Sequence, residues 1–202
     1  MNKQKINQFL QSFIVIPMLA IAVPITGIGY IPNTIAVLDN KSITVETSVI
    51  TTQEEVERKE QEAKLETERK EKADATDAYF AEYDTPLEGY GMKFVIEAEK
   101  NNLDWRLLPA IAMRESTGGK FACKKVTNSV FGWGSCKIGF KSIDESIEIV
   151  AFNLGGNNPN TDHHYEGKTT EQILRKYNSY IKNYPAQVMK IMKEIKINTV
   201  II

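Results

Sequence analysis

The chain has 202 residues, with 25 Lys and Arg against 26 Asp and Glu, for a formal net charge of -1. That length holds one ordinary domain with appendages. The balanced charge, with no stripe of interleaved arginines and aromatics, argues against a nucleic-acid partner.

Residues 1–37 carry an address. Lys3 and Lys5 precede an apolar run from Phe9 to Ile31 that is broken by Pro17 and Pro24. A basic start followed by such a run is the pattern of an export signal or a membrane anchor. It implies export to the cell envelope, with the protein either anchored in the membrane through this segment or secreted. Ala20-Ile21-Ala22 and Thr34-Ile35-Ala36 both offer small-residue cleavage sites. The pattern does not choose between them, and retention as an anchor stays open.

Residues 38–77 read as a linker followed by a charged stalk. DNKSITVETSVITT, from 39 to 52, is polar and β-branched and predicts an extended linker. From 53 to 75 the composition turns to Glu, Lys and Arg. Five Glu-to-basic pairs stand four apart: Glu54/Arg58, Glu55/Lys59, Glu60/Lys64, Glu66/Lys70 and Glu68/Lys72. Each such pair supports an exposed helix by about 0.2–0.5 kcal/mol. Val56, Ala63 and Leu65 are a poor apolar seam for a coiled coil. The segment therefore reads as a solvated helical or disordered spacer.

From 78 to 196 the pattern is that of a compact, mainly α domain, leaving 197–202 as a tail. Between Leu87 and Lys100, Tyr90, Phe94 and Ala98 recur at helical spacing. From Leu107 to Ser116, Leu108, Ile111, Ala112 and Glu115 fall on one face. Pro109 is comfortable only in a first turn, which puts that helix start near Leu107. Ser142-Ile143-Asp144-Glu145 is a capping box ahead of inward Ile143, Ile147, Val150 and Leu154, and Gly155-Gly156 stops the helix. Thr169 to Gln172 repeats that logic before Ile173, Leu174 and Tyr177, and Asn183 is placed to cap a last helix with Val188, Ile191, Met192 and Ile195 inward. Residues 121–140 (FACKKVTNSVFGWGSCKIGF) are rich in glycine, aromatic and β-branched residues and predict a small β-hairpin wing.

Cys123 and Cys136 lie in that wing. In an exported protein an even pair usually bridges, with two buried free thiols as the alternative. His163 and His164 are too few for a histidine metal site, and adjacent side chains point apart in regular structure, so they read as a surface loop. The sequence gives no reason to expect a metal or a cofactor.

Glu115 is the residue with chemical promise. It lies one helical turn past Ile111, at the end of an apolar face, where a carboxyl is costly to place unless it is used. A general acid must hold its proton near neutral pH, and apolar surroundings favour the neutral form. A structural ion pair with a lysine such as Lys120 is the plainer alternative.

The ordered set AIAMRESTGG, NSVFGWGSC, FKSIDESIEIVAFNL and YNSYIKNYPAQVMKIM resembles the glucosaminidase-type domain of the lysozyme superfamily, over roughly residues 79–196. The resemblance implies a lysozyme-like fold and cleavage of peptidoglycan glycan strands. It makes Glu115 the match of the catalytic acid and Ser116 that of the small residue behind it. It matches Asn128, Phe131 and Gly132 to a motif lining the glycan groove, where the rings of Phe131 and Trp133 would stack on sugar. Tyr177, with Asn178, matches a C-terminal motif that helps orient the acid and the sugar. Packing in the wing or core is the alternative role for Phe131, Trp133 and Tyr177.

No Asp or Glu occurs between Glu115 and Asp144. Two-carboxylate glycosidases need a partner about 5–9.5 Å away, and Asp144 and Glu145 stand at a helix start where capping occupies them. A single acid can serve if the sugar's own 2-acetamido oxygen stabilises the anomeric centre. Water as acceptor gives hydrolysis and the muramic 6-hydroxyl gives a 1,6-anhydro product, as in a lytic transglycosylase; the sequence leaves both open. Lys120, Lys124, Lys125, Lys137 and Lys141 would favour encounter with an anionic polymer, or simply solubilise the wing. A non-catalytic peptidoglycan-binding module would keep the groove without needing Glu115 as an acid.

Overall fold

A computed structural model of the chain describes residues 41–197, with side chains from residue 53 onward. The N-terminal apolar run and both cleavage sites lie outside the described residues, as do residues 198–202. Among the described residues no helix is long and apolar enough to cross a membrane. The unit that begins at Glu46 contains the core.

The fold is mainly α, with eight helices and no strand among the described residues: α1 Lys41–Glu82, α2 Gly91–Lys100, α3 Leu107–Ser116, α4 Trp133–Cys136, α5 Ile143–Leu154, α6 Asp162–Tyr165, α7 Thr170–Tyr177 and α8 Tyr184–Glu194. Helix α1 has 42 residues, about 63 Å at 1.5 Å per residue. The segment read from sequence as linker is helical from Lys41. Residues 53–68 are exposed throughout, Val56 and Leu65 included. None of the five expected Glu-to-basic pairs forms among the described residues. Arg58 instead approaches Glu62 at 3.7 Å and Lys70 binds Asp74 at 2.5 Å. Arg69 and Lys72 reach across to Glu99 at 2.6 and 3.7 Å. Exposed pairs differ from one another by only tenths of a kcal/mol, so side chains settle on whichever partner the surroundings favour.

The last turns of α1 belong to the core. Ala73, Thr76, Tyr79 and Phe80 are buried, and the helix runs unbroken through residue 78. Helix α2 starts hard against it: a Cβ on Gly91 would stand 2.2 Å from the carbonyl oxygen of Ala73. Asp77 Oδ1 accepts the N–H groups of Gly89 and Gly91 at 2.9 and 2.8 Å, which fixes that start. Helix α3 begins at Leu107 with Pro109 in its first turn, as the sequence predicts. Its Leu108, Ile111 and Ala112 are fully buried against Phe94, Ile147, Leu154 and Tyr184 in one core.

The caps follow the sequence with two departures. Thr169 and Gln172 form the reciprocal capping box of α7. Ser142 Oγ accepts the Glu145 N–H at 3.1 Å, but the Glu145 carboxylate takes the N–H of Lys141 rather than that of Ser142. Asn183 makes no side-chain cap; Pro185 near the helix start, with its φ already helical, sets the entry of α8 instead. His163 and His164 lie in the single turn α6 with ring centroids 3.8 Å apart, rather than pointing away from one another in a loop. So short a turn does not hold the regular geometry that separates neighbours.

The expected β-hairpin over 121–140 does not form. Asn128, Gly132, Gly134, Ser135 and Cys136 all have positive φ, between 53° and 62°. Left-handed residues at that density break any extended ladder. What remains of strand pairing is one backbone bond, Phe140 N–H to the Thr127 carbonyl at 3.0 Å. The Thr127 hydroxyl and the Asn128 amide both donate to the Phe140 carbonyl, each at 3.0 Å. The wing is thus an irregular loop closed at its base by side chains.

Candidate active site

Four segments converge on a cleft of about 770 Å³: the end of α3, the 121–136 loop, Tyr165 of α6, and the stretch from α7 into the connection to α8. Glu115 lines it and is partly exposed. Among the described residues lining the cleft, Glu115 is the one carboxylate and Lys176 the one cation.

Helix α8 supplies the partner of the acid. Tyr184 is fully buried, and its hydroxyl donates to Glu115 Oε1 at 2.6 Å. Burial first, then the neighbouring Tyr177 and the bond to Glu115, push the Tyr184 phenol far above its ordinary range, so it stays a proton-bearing donor. The Arg114 guanidinium lies over that ring, 5.9 Å from its centroid, with Nε bonded to Gln187 at 2.9 Å. Adjacent residues of α3 therefore both engage Tyr184, one at its hydroxyl and one over its ring, and α3 packs on α8.

Tyr177 stacks on Tyr184 with centroids 5.8 Å apart and planes within 13°, and Trp133 tilts against Tyr177 at 5.8 Å. The Tyr177 hydroxyl donates to the Phe131 carbonyl at 2.5 Å. Burial, with the charge of Glu115 second, pushes its phenol up as well. An aromatic row thus leads from the loop to the acid. Gly132 completes it: φ is +62°, and a Cβ there would come within 3.4 Å of Glu115 Oε2.

The remaining sequence candidates divide. Trp133, Tyr177, Asn178 and Gly132 line the cleft with Glu115. Ser116 lies at its edge, with its hydroxyl committed internally: Oγ stands 3.0 and 2.7 Å from the Ala112 and Val130 carbonyls and accepts the Gly119 N–H at 2.9 Å. The Phe131 ring is fully buried, edge-on to Phe94 at 6.4 Å, so only its carbonyl serves the site. Asn128 is turned to the Phe140 carbonyl. Asp144 is exposed in the first turn of α5 and does not line the cleft, while Glu145 lines a neighbouring cavity that shares Trp133. Lys120 stands 3.6 Å from Asp84, not paired with Glu115.

Sequence reading missed Tyr184 and the aromatic rim. Phe121 and Tyr180 are 75% and 99% exposed at the cleft edges, and Tyr165 and Lys176 line its wall. Exposure of that degree has no periodic signature in the sequence.

Cys123 and Cys136 form a disulfide, with Cα atoms 5.6 Å apart, and both line the cleft. The bridge joins the Phe121 edge to the Trp133 turn across 13 residues of sequence. In the chain-entropy view so short a loop contributes about 3 kcal/mol. Cys123→Ser/Cys136→Ser protein is expected to lose stability of that order in a thermal melt. An unchanged melting curve would show that the loop holds its shape without the bridge.

No group of three or more metal-ligating side chains occurs among the described residues. Set against known protein-family models, curated proteins and solved structures, the chain gives no significant match in any of the three comparisons.

Proposed function

We propose that the protein cleaves glycan strands of peptidoglycan, with Glu115 as general acid and then base. The observation that carries this reading is one carboxylate, Glu115, lining an open aromatic cleft and bonded at 2.6 Å to the hydroxyl of the buried Tyr184. A side-chain donor to Oε1 leaves Oε2, beside Gly132, free for a bridging oxygen. Protonation of that oxygen releases the aglycone, and the resulting carboxylate withdraws a proton from the acceptor. The exposed rings of Phe121 and Tyr180, which line the same cleft, supply stacking faces. The disulfide accords with export to an oxidising envelope.

Purified protein incubated with cell-wall sacculi is expected to release soluble muropeptides. Mass spectrometry of the products reads the chemistry: a gain of water marks a hydrolase, and 1,6-anhydro ends mark a lytic transglycosylase. Sacculi left intact at concentrations that bind them would instead favour a non-catalytic wall-binding module.

A further inference from the structure

The chain from Lys168 to Lys196 forms α7, α8 and their connection, and it carries seven Lys or Arg against two Glu. The whole protein has a net charge of -1, so this excess is local. Four of those cations, Arg175, Lys182, Lys190 and Lys193, line one pocket of about 370 Å³. The acid in its lining is Glu171, which Arg175 already binds at 2.5 Å. Lys190 stands 4.0 Å from Glu194, which is not part of the lining. Lys182 and Lys193 are exposed and make no ion pair among the described residues. Like charges gathered around a hollow repel one another and attract an anion into it.

The lining narrows what that anion is. It contains no aromatic side chain, so it gives nucleic-acid bases nothing to stack on. Its apolar members Pro185 and Met189 are buried and half-buried, which leaves little to insert into a lipid surface. Small apolar surface beside several cations suits a short peptide that carries carboxylates. Position then connects the pocket to the acid. Lys176 to Tyr180 line the cleft of Glu115, while Lys182 and Asn183, in the same connection, line the pocket. Two residues of chain span at most about 7 Å, so the two sites border one another between Tyr180 and Lys182.

We infer that this pocket binds the carboxylate-bearing peptide stem of a wall strand whose glycan lies in the cleft. Any one exposed ion pair is weak, but a stem with more than one carboxylate meets several cations together. Charges so placed also set the encounter rate and its dependence on salt. The inference rests on the glycan-cleaving reading and adds to it a preference for strands that still carry their peptides.

The test compares strands that keep their stems with strands stripped by an amidase, which leaves the lactyl carboxylate in place. Lys182→Gln/Lys193→Gln protein is expected to keep its melting temperature, because both side chains are exposed. On peptide-bearing strands its KM is expected to rise about 3- to 10-fold with kcat unchanged. Added salt should close that gap to the wild type. On stripped strands the two proteins should match, and Lys182→Arg/Lys193→Arg should follow the wild type on both. An unchanged KM on peptide-bearing strands, or an equal rise on stripped ones, would overturn the inference. Binding to phosphatidylglycerol vesicles that the glutamine variant loses, with its KM on strands unaltered, would overturn it too and make the pocket a membrane contact. If the wild type cuts neither strand, the glycan-cleaving reading falls, and calorimetry with the free stem tetrapeptide decides the pocket. Binding that the glutamine variant weakens sustains it, and no binding, or equal binding, overturns it.

Discussion

Glu115→Gln is expected to abolish nearly all glycan cleavage, by about 10²–10⁴-fold, with little change in the melting temperature. The substitution removes only the proton chemistry. A glutamine Oε1 still accepts the Tyr184 hydroxyl that now stands 2.6 Å from the carboxylate, and the side chain keeps its length beside Gly132. Arg114, the Tyr177–Tyr184 stack and the buried face of α3 are untouched. Loss of turbidity clearing by sacculi, with circular dichroism and thermal melting unaltered, separates chemistry from folding. Clearing at the wild-type rate would remove Glu115 from the reaction and return it to a structural role.

What could be read in the sequence was whatever depends on near neighbours in the chain. Apolar spacing and the first-turn Pro109 place α3 at Leu107–Ser116, and Thr169 with Gln172 marks the start of α7, because helix periodicity and caps are local. The 121–140 loop was illegible for a physical reason. Its glycines and aromatics have hairpin composition, but left-handed Asn128, Ser135 and Cys136 are residues whose φ the sequence does not announce. A disulfide and side-chain bonds to the Phe140 carbonyl then hold a shape that strand pairing would otherwise have supplied.

The candidate site shows the same division. Glu115 was visible as a carboxyl ending an apolar face, yet its partner Tyr184 lies 69 residues away and reaches it only because α3 packs on α8. Phe131 and Trp133 looked alike as loop aromatics; one is fully buried on Phe94 and the other lines the cleft, a distinction made by packing alone. Asn128 was expected to line a groove, but its side-chain amide is spent on the Phe140 carbonyl and the residue does not line the cleft.

Glycans that lack the 2-acetamido group are expected to be cut about 10²-fold more slowly or worse. The cleft offers Glu115 as its one carboxylate among the described lining residues, so charge at the anomeric carbon must be met by the substrate itself. The acetamido oxygen is the group in reach of that carbon from within the sugar. Asp144 stands exposed in the first turn of α5, and Glu145 binds the Lys141 N–H at 2.5 Å beside a different cavity. Asp144→Asn and Glu145→Gln should therefore weaken a helix start by about 0.5–2 kcal/mol and keep appreciable turnover at temperatures where the fold survives. Rates on matched N-acetylated and non-acetylated oligosaccharides, measured for the wild type and both variants, test the two halves together. A folded Asp144→Asn or Glu145→Gln protein as inactive as Glu115→Gln would show a two-carboxylate site. Of the two, Glu145 would be the stronger candidate, because Trp133 lines both its cavity and the cleft of Glu115.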